Sequence, residues 1–241
     1  MTTASDFDVL YRALDAEFGA LGELEPRSVL RDWMTAGDRS TPVRGVVARW
    51  FGFLATEGGE LLGARDVYGV IDEATGAAVT FLSHTWVAPH ARRSGWGTKL
   101  RRAAVGAVSS WVKGRGGRPP QTFAEMGHRD PNDVASSTRL DAYARAGFRA
   151  FDPAGLPYAQ PDFSGGDRPV PLLAIVDGDA GDPQVATLAL CVHRTWLPGA
   201  AIDAIVDHVR GARETPRTVD LNDPACLRVR AQPHYPATWW R

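Results

Sequence analysis

The stretch that most constrains the fold runs from Ser83 to Ala104, SHTWVAPHARRSGWGTKLRRAA. Apolar and β-branched residues lead up to Val87, and Gly95 and Gly97 then bracket a tryptophan before a segment with helical periodicity. Glycines cost backbone entropy, so two of them between a strand and a helix indicate a tight turn or a close approach to the backbone. Because the first turn of a helix has N–H groups without intrahelical partners, the sequence predicts an anion-binding loop.

Two familiar phosphate-binding loops do not fit the spacing of this segment. GxxxxGK[ST] requires a lysine directly after its second glycine, whereas Thr98 follows Gly97 and Lys99 comes only after it. GxGxxG requires a third glycine at position 100, which is a leucine. The pattern that fits is RxxGxG over residues 92–97, preceded by V-x-P over residues 87–89.

The rest of the chain predicts a mixed α/β fold. Apolar periodicity and turn residues predict helices over 6–18, 27–35, 97–113, 134–148 and 198–212, and strands over 45–56, 60–72, 77–87, 121–126, 148–151, 170–176 and 185–192. The first three strands form an antiparallel meander, and 153–171 is predicted to be an ordered loop. Since strands and helices do not alternate strictly, we expect a mostly antiparallel central sheet flanked by helices rather than a doubly wound sheet.

Composition excludes several classes of function. The net charge of −1 over 241 residues gives no electrostatic reason to expect a nucleic-acid or anionic-membrane partner. The first thirty residues lack the features of a signal peptide, and no apolar run reaches membrane-spanning length. We therefore expect a cytoplasmic protein with reduced thiols at Cys191 and Cys226. The six histidines are scattered, and the sequence predicts no metal site.

Two motifs resemble the GNAT superfamily of acyl-CoA-dependent N-acyltransferases. The first is the RxxGxG loop, and the second is YARAGF, Tyr143–Phe148, which resembles the Y-x-x-x-G-F helix end of that family. FAEM, residues 123–126, is similar to the strand that many members place between these motifs. The resemblance covers residues 5–152 in element order. It implies a GNAT-like catalytic domain over 1–176, and 177–241 is expected to be a C-terminal extension packed on it.

The resemblance implies acetyl-CoA as the cosubstrate and no metal. The positions that match the family's coenzyme A contacts are Val87, Arg92, Arg93, Ser94, Gly95, Trp96, Gly97, Thr98 and Ser136. The backbone N–H of Val87 matches the position that polarises the thioester carbonyl. Ser136 departs from the family, because many members have an asparagine there. Trp96 lies either over the cofactor or against the following helix.

Tyr143 and Glu125 are the candidate catalytic residues. Tyr143 matches the family tyrosine that acts as a general acid or holds the leaving thiolate; alternatively, it packs its ring on the sheet. Glu125 is a carboxylate on a mostly apolar strand, a setting that suits a general base. Alternatively, Glu125 pairs with an arginine or lies in solvent at the strand end.

His84 lies beside the loop motif but is a weaker candidate for the base. Residues on a strand point alternately to opposite faces. The alternation places Phe81, Ser83 and Thr85 on the face of Val87, and His84 on the other face.

The predicted function is transfer of an acetyl group from acetyl-CoA to a primary amine of a small molecule or peptide by direct attack. Two alternatives stay open: a non-catalytic acyl-CoA-binding or regulatory module, and the same fold with a different acyl donor. The acceptor and the formation of a homodimer are left open as well.

Overall fold

The computed structural model describes residues 4–129, 134–156, 158–160, 170–178, 184–193, 195 and 217–226, with the backbone alone at 135, 136 and 171. The chain divides into two compact units. Unit 1 comprises residues 1–120 and 163–165, and unit 2 comprises residues 121–162 and 166–241. The division into a catalytic domain and a C-terminal extension at residue 176 stays a prediction.

Unit 1 is a four-stranded antiparallel sheet with helices on both faces. Its elements are α1 (Ala4–Phe18), α2 (Arg27–Ala36), β1 (Asp38–Ser40), β2 (Val46–Glu57), β3 (Glu60–Asp72), β4 (Ala78–Val87) and α3 (Trp96–Gly114). The strand order is β1-β2-β3-β4, and each neighbouring pair is antiparallel. The predicted meander and the three helices of this unit are confirmed; only the short strand β1 was not predicted.

The two faces of this sheet pack against different helices. On one face, Trp33 of α2 meets Tyr68 of β3 edge to face, with ring centroids 5.2 Å apart. On the other face, α3 approaches β3 so closely that a Cβ atom at Gly69 would lie 2.9 Å from the ring of Trp111. Gly69 is therefore required by the packing of α3, since such a contact is shorter than real Cβ atoms make.

A β-bulge interrupts the pairing of β3 with β4 next to the loop motif. Leu82 pairs with Val67, but the next regular pair is Thr85 with Arg65, so that Ser83 and His84 both lie opposite a single residue of β3. The extra residue reverses the alternation of side chains along β4. Phe81 consequently shares a face with Tyr68 and His84, and its predicted placement on the face of Val87 is wrong.

Unit 2 contains an antiparallel sheet of its own and two described helices. Its elements are β5 (Gln121–Met126), α4 (Val134–Ala144), β6 (Phe148–Phe151), β7 (Tyr158–Gln160), β8 (Val170–Asp177), α5 (Gln184–His193) and β9 (Thr218–Val219). The strands follow the order β5-β8-β6-β9, and β7 also pairs with β8; all these pairs are antiparallel. Gly147 has a φ of 86° just after α4, as expected for a glycine that ends a helix.

Two predictions in unit 2 are wrong. The segment 185–192, predicted as a strand, lies in helix α5. A short apolar run fits a buried strand or a buried helix, and α5 is buried on nearly all sides, so periodicity could not decide between them. The loop predicted over 153–171 contains β7. The helix predicted over 198–212 lies outside the described residues.

The fold class is confirmed as mixed α/β with mostly antiparallel strands. None of the described helices combines the length and the apolar character needed to cross a membrane. Both cysteines are buried free thiols.

Candidate functional site

The predicted anion-binding loop connects β4 to α3 in unit 1. After Val87 the chain makes one 3₁₀ turn, Pro89–Ala91, and the Ser94 hydroxyl donates to the Ala91 carbonyl at 2.5 Å. Gly95 then adopts a φ of 87°, and α3 begins at Trp96. A left-handed residue at this point favours glycine, so the backbone conformation alone accounts for Gly95.

Gly97 has no such conformational reason to be glycine. Its φ lies outside the left-handed region, and a Cβ atom built on it would meet only Val87 Cγ2, at 3.9 Å. That distance is ordinary van der Waals contact, so unit 1 itself would tolerate a side chain here. The open space in front of the Gly97 backbone can instead admit a ligand.

The backbone N–H groups at the start of α3 are oriented for an anion. The first turn of the helix is closed by the bond from the Lys99 N–H to the Gly95 carbonyl, at 3.0 Å. The N–H groups of Trp96, Gly97 and Thr98 precede that bond, and no acceptor for them is found in the described part of the chain. Three such groups at a helix N-terminus, beside an open glycine position, fit a phosphate or pyrophosphate.

Arg92 and Arg93 add positive charge beside these N–H groups. The Arg92 guanidinium donates to the Val87 carbonyl at 3.2 Å and pairs with Glu17 at 3.2 Å, while about half of its side chain stays exposed. Arg93 is exposed and adopts a φ of 67°, which is uncommon for a residue other than glycine. The loop therefore presents cationic side chains to solvent, one of them oriented by the loop backbone.

The N–H of Val87 points away from β3. The Ala88 N–H donates to the Leu62 carbonyl at 3.0 Å, so that pair is hydrogen-bonded. Because hydrogen-bonded and non-hydrogen-bonded pairs alternate in an antiparallel ladder, the preceding pair, Val87 with Gly63, is not hydrogen-bonded. The ladder between β3 and β4 thus leaves this N–H unused, as the predicted contact to a thioester carbonyl requires.

Trp96 packs against the protein. Its ring lies on an apolar cluster of residues from β2, β3, the loop and α3: Ala55, Leu62, Ala88, Ala91 and Leu100. The Lys99 ammonium lies 3.9 Å from the centroid of the same ring. Trp96 is thus the first residue of α3 and packs on neighbouring residues, while its predicted place over the cofactor stays a prediction.

Glu125 lies in a buried polar cluster of unit 2. Its Oε1 accepts a hydrogen bond from the Tyr158 hydroxyl at 2.5 Å and lies 3.1 Å from His193 Nε2. Only 9% of the Glu125 side chain and 2% of the His193 side chain are exposed. Among the described residues, therefore, no arginine pairs with Glu125, and its side chain is mostly shielded from solvent.

The Tyr158 hydroxyl is the donor in its bond to Glu125. Burial, together with the neighbouring carboxylate and the hydrogen bond to it, raises the pKa of Tyr158 well above its ordinary value. Tyr158 and His193 are 33 and 68 residues from Glu125, so no local motif connects the three. The only sequence signal was a histidine at the end of the apolar run over 185–192.

Tyr143 lies on α4, where its ring meets Phe148 edge to face with centroids 4.9 Å apart. The side chain is partly buried, so ring packing accounts for part of its environment, and the acid role stays a prediction. Ser136 also lies on α4, but its side chain is outside the described residues. Its predicted contact with coenzyme A likewise stays a prediction.

A second buried polar cluster lies in unit 1 around His84. Its Nδ1 is 3.1 Å from Asp66 Oδ1 and 3.9 Å from Glu25 Oε2, and its Nε2 is 2.9 Å from the Glu23 carbonyl. Asp66 also accepts bonds from the His84 backbone N–H at 2.9 Å and from Trp50 Nε1 at 3.1 Å. The sequence showed no grouping of metal-binding residue types, yet the fold brings Glu25, Asp66 and His84 within 4.8 Å of one another.

The charges of His84 and Asp66 in this second cluster stabilise each other. Burial opposes a charged imidazole, but the Asp66 carboxylate and its hydrogen bond, together with Glu25, raise the pKa of His84 to about 10. Conversely, although burial opposes it, the His84 cation holds the pKa of Asp66 below its ordinary value. His84 is therefore an ion-paired core residue, in agreement with its low rank as a candidate base.

Comparisons with known proteins found similar solved structures. No family model matches the chain, and no curated protein matches it significantly. A Desulfovibrio desulfuricans protein assigned to the GNAT family of acetyltransferases is 20% identical, with a TM-score of 0.40 over 73% of this chain and 93% of that one. An aminoglycoside 6'-N-acetyltransferase complexed with coenzyme A is 15% identical, with a TM-score of 0.40 over 75% and 95% of the two chains.

The ribosomal-protein-S18-alanine N-acetyltransferase of Escherichia coli is also similar, with 14% identity and a TM-score of 0.38 over 75% of this chain and 93% of that one. All three proteins are described as acetyltransferases. At such identities and scores, the similarities establish neither the activity nor the substrate of this chain.

Proposed function

We propose that this chain is an acyltransferase that binds an acyl-CoA through the loop between β4 and α3. The acyl group is acetyl, and the acceptor is a primary amine of a small molecule or peptide. The observation that carries the proposal is the open position at Gly97, beside three backbone N–H groups at the start of α3. Nothing in the packing of unit 1 calls for a glycine there, whereas a bound pyrophosphate does.

Each candidate residue has a defined role in this reaction. Acetyl-CoA, when bound, supplies the thioester. The N–H groups of α3 and the guanidinium of Arg92 bind its pyrophosphate. The Val87 N–H, which the ladder between β3 and β4 leaves unused, donates to the thioester carbonyl as negative charge develops on its oxygen.

Acid–base chemistry is assigned to Glu125 and Tyr143. The Glu125 carboxylate accepts a proton from the substrate ammonium group, and the neutral amine that results attacks the acyl carbon. The C–S bond then breaks, and the Tyr143 hydroxyl donates a proton to the leaving thiolate. The nitrogen, which carries a positive charge after the attack, loses its extra proton to solvent, and the tyrosine regains a proton from solvent. No covalent intermediate with the protein is needed.

Coenzyme A binding is tested by the same substitution at two positions of α3. Gly97→Glu places a side chain and a negative charge in the proposed pyrophosphate site, so we expect the Kd for coenzyme A to rise more than about tenfold. Gly106→Glu is the matched control, because a Cβ atom there meets nothing within 4 Å, and one at Gly97 meets only Val87 Cγ2, at 3.9 Å. Isothermal titration calorimetry of both variants measures the difference.

Instability of the variant would not explain a loss of binding at Gly97. An acidic side chain in the first turn of a helix is favourable, so Gly97→Glu should fold at least as well as Gly106→Glu. Equal affinities for coenzyme A in the two variants would disprove the assignment of the loop.

Turnover is measured as release of free thiol from acetyl-CoA across a panel of primary amines. Amine-dependent release would support the enzyme, and Tyr143→Phe should then lower the rate without changing coenzyme A affinity. Tight coenzyme A binding without release from any amine would instead favour a non-catalytic binding module.

A further inference from the structure

Both hydrogen bonds of the Glu125 side chain end on the same oxygen. The Tyr158 hydroxyl and His193 Nε2 share Oε1, whereas no described residue donates to Oε2. Burying a carboxylate is costly unless donors compensate it, and two donors on one oxygen do so without occupying the other. Oε2 is thus the atom with which Glu125 can accept an external proton.

The donors come from elements that are otherwise apolar and buried. Tyr158 is the first residue of β7 and is 0% exposed; its ring packs edge to face on Phe123, 5.5 Å away. His193 is the last residue of α5, whose buried residues are otherwise almost all apolar, and α5 packs against β5. An aliphatic residue at 193 would satisfy that packing but could not donate to Glu125.

We propose that Tyr158 and His193 are positioning residues for Glu125, and that α5 serves the reaction by supplying His193. The inference rests on the proposed function, in which Glu125 is the general base. The substrate ammonium loses its proton to Oε2, and the carboxylate becomes a carboxylic acid. Oε1 remains an acceptor in both states, so Tyr158 and His193 keep their protons and hold the group in place throughout. Release of the proton from Oε2 to solvent restores the carboxylate.

The kinetic test uses Tyr158→Phe and His193→Leu, both of which remove a donor to Glu125, each in the wild-type background and in Glu125→Gln. In the wild-type background we expect kcat to fall about tenfold or more for each variant, with the KM for acetyl-CoA unchanged. In the Glu125→Gln background, where the rate is already lower by about 10²–10⁴-fold, the same changes should have no further effect. Residues that act only through Glu125 must show this loss of effect.

The control for a merely structural role is Leu188→Ala. Leu188 is buried on α5 and makes no hydrogen bond to Glu125, so this variant loosens the helix but leaves the cluster intact. We expect a lower melting temperature with kcat retained. An equal fall of kcat in Leu188→Ala and His193→Leu would overturn the inference.

A spectroscopic measurement tests the cluster without turnover. In ¹⁵N-histidine NMR spectra, the His193 ring should carry a proton on Nε2, and its signals should move in Glu125→Gln but not in Leu188→Ala. An unprotonated Nε2, or no response to Glu125→Gln, would overturn the inference even in an active enzyme. Absence of turnover in the wild type would overturn the proposed function and the role of Glu125 with it, whereas unchanged kcat in His193→Leu would overturn this inference alone.

Discussion

His84 in unit 1 and His193 in unit 2 are both buried, and each lies 3.1 Å from a carboxylate oxygen through one ring nitrogen. Around His84, both ring nitrogens and both oxygens of Asp66 have hydrogen-bond partners. A backbone carbonyl accepts from the other ring nitrogen, and Asp66 accepts bonds on both of its oxygens. Around His193 the carboxylate of Glu125 uses only one oxygen for both donors.

The number of occupied carboxylate oxygens separates Asp66, which stabilises the fold, from Glu125, which can take part in proton transfer. A carboxylate whose oxygens are both bound to fixed donors has no atom with which to accept a substrate proton. Glu125 retains one, whereas Asp66 does not. Distance and burial alone would rank the two histidines as equivalent, and the number of occupied oxygens distinguishes them.

The largest effect is expected from Asp66→Asn. Removing the charge leaves the His84 cation buried without its main partner, and breaking a buried ion pair costs about 3–5 kcal/mol. Glu125→Gln is the matched substitution in unit 2. It should cost less, about 1–3 kcal/mol, because only one oxygen of that carboxylate is hydrogen-bonded. Urea denaturation gives both free energies of unfolding, and equal losses would contradict the distinction.

The next largest effect concerns pH. His84 should make the free energy of unfolding depend on pH. Its pKa is raised from 6.5 to about 10 by Asp66 and Glu25, against the effect of burial. Because the folded-state value exceeds the unfolded one, the stabilisation is complete below about pH 6.5 and is lost as the pH rises through about 10. The lowered pKa of Asp66 has a separate effect at acidic pH, where its stabilisation of the fold is lost as the pH falls through that pKa.

We expect the free energy of unfolding to fall across this window by at most about 1.4 kcal/mol per pH unit. Urea denaturation at several pH values measures the slope in the wild type and in His84→Asn. The variant should have a much flatter profile. An equal slope in both proteins would show that His84 is not charged in the folded state.

The sequence predicts the elements of unit 1 well because their apolar periodicity is long and clear. It fails where one local pattern fits two structures: the apolar run over 185–192 fits a strand and a buried helix equally, and it folds as α5. Prediction also fails where a single extra residue in a strand changes which face its side chains occupy. The bulge at Ser83 and His84 reverses the alternation, so Phe81 lies on the opposite face from the one predicted.

The candidate site divides in the same way. The loop over residues 92–97 is continuous in sequence, so its glycines and arginines can be found by spacing alone. The environment of Glu125 depends on Tyr158 and His193, which the fold brings from 33 and 68 residues away. No spacing rule connects such residues, and strand pairing and helix packing must be known first.

The smallest effect is expected from removing one hydroxyl in each cluster. Tyr68 donates to Glu25 at 3.1 Å, and Tyr158 donates to Glu125; both tyrosines are 0% exposed. In Tyr158→Phe the histidine still donates to the same oxygen, so we expect a loss of about 0.5–1.5 kcal/mol. In Tyr68→Phe the bond to Glu25 Oε1 is removed in a fully buried site, and the loss should reach about 1–3 kcal/mol. Because the substitution is identical, the difference between the two free energies of unfolding compares how much each hydroxyl stabilises the carboxylate to which it donates. A larger loss for Tyr158→Phe than for Tyr68→Phe would mean that Glu125 is held as tightly as the carboxylates around His84, and would remove the structural reason for assigning it the role of base.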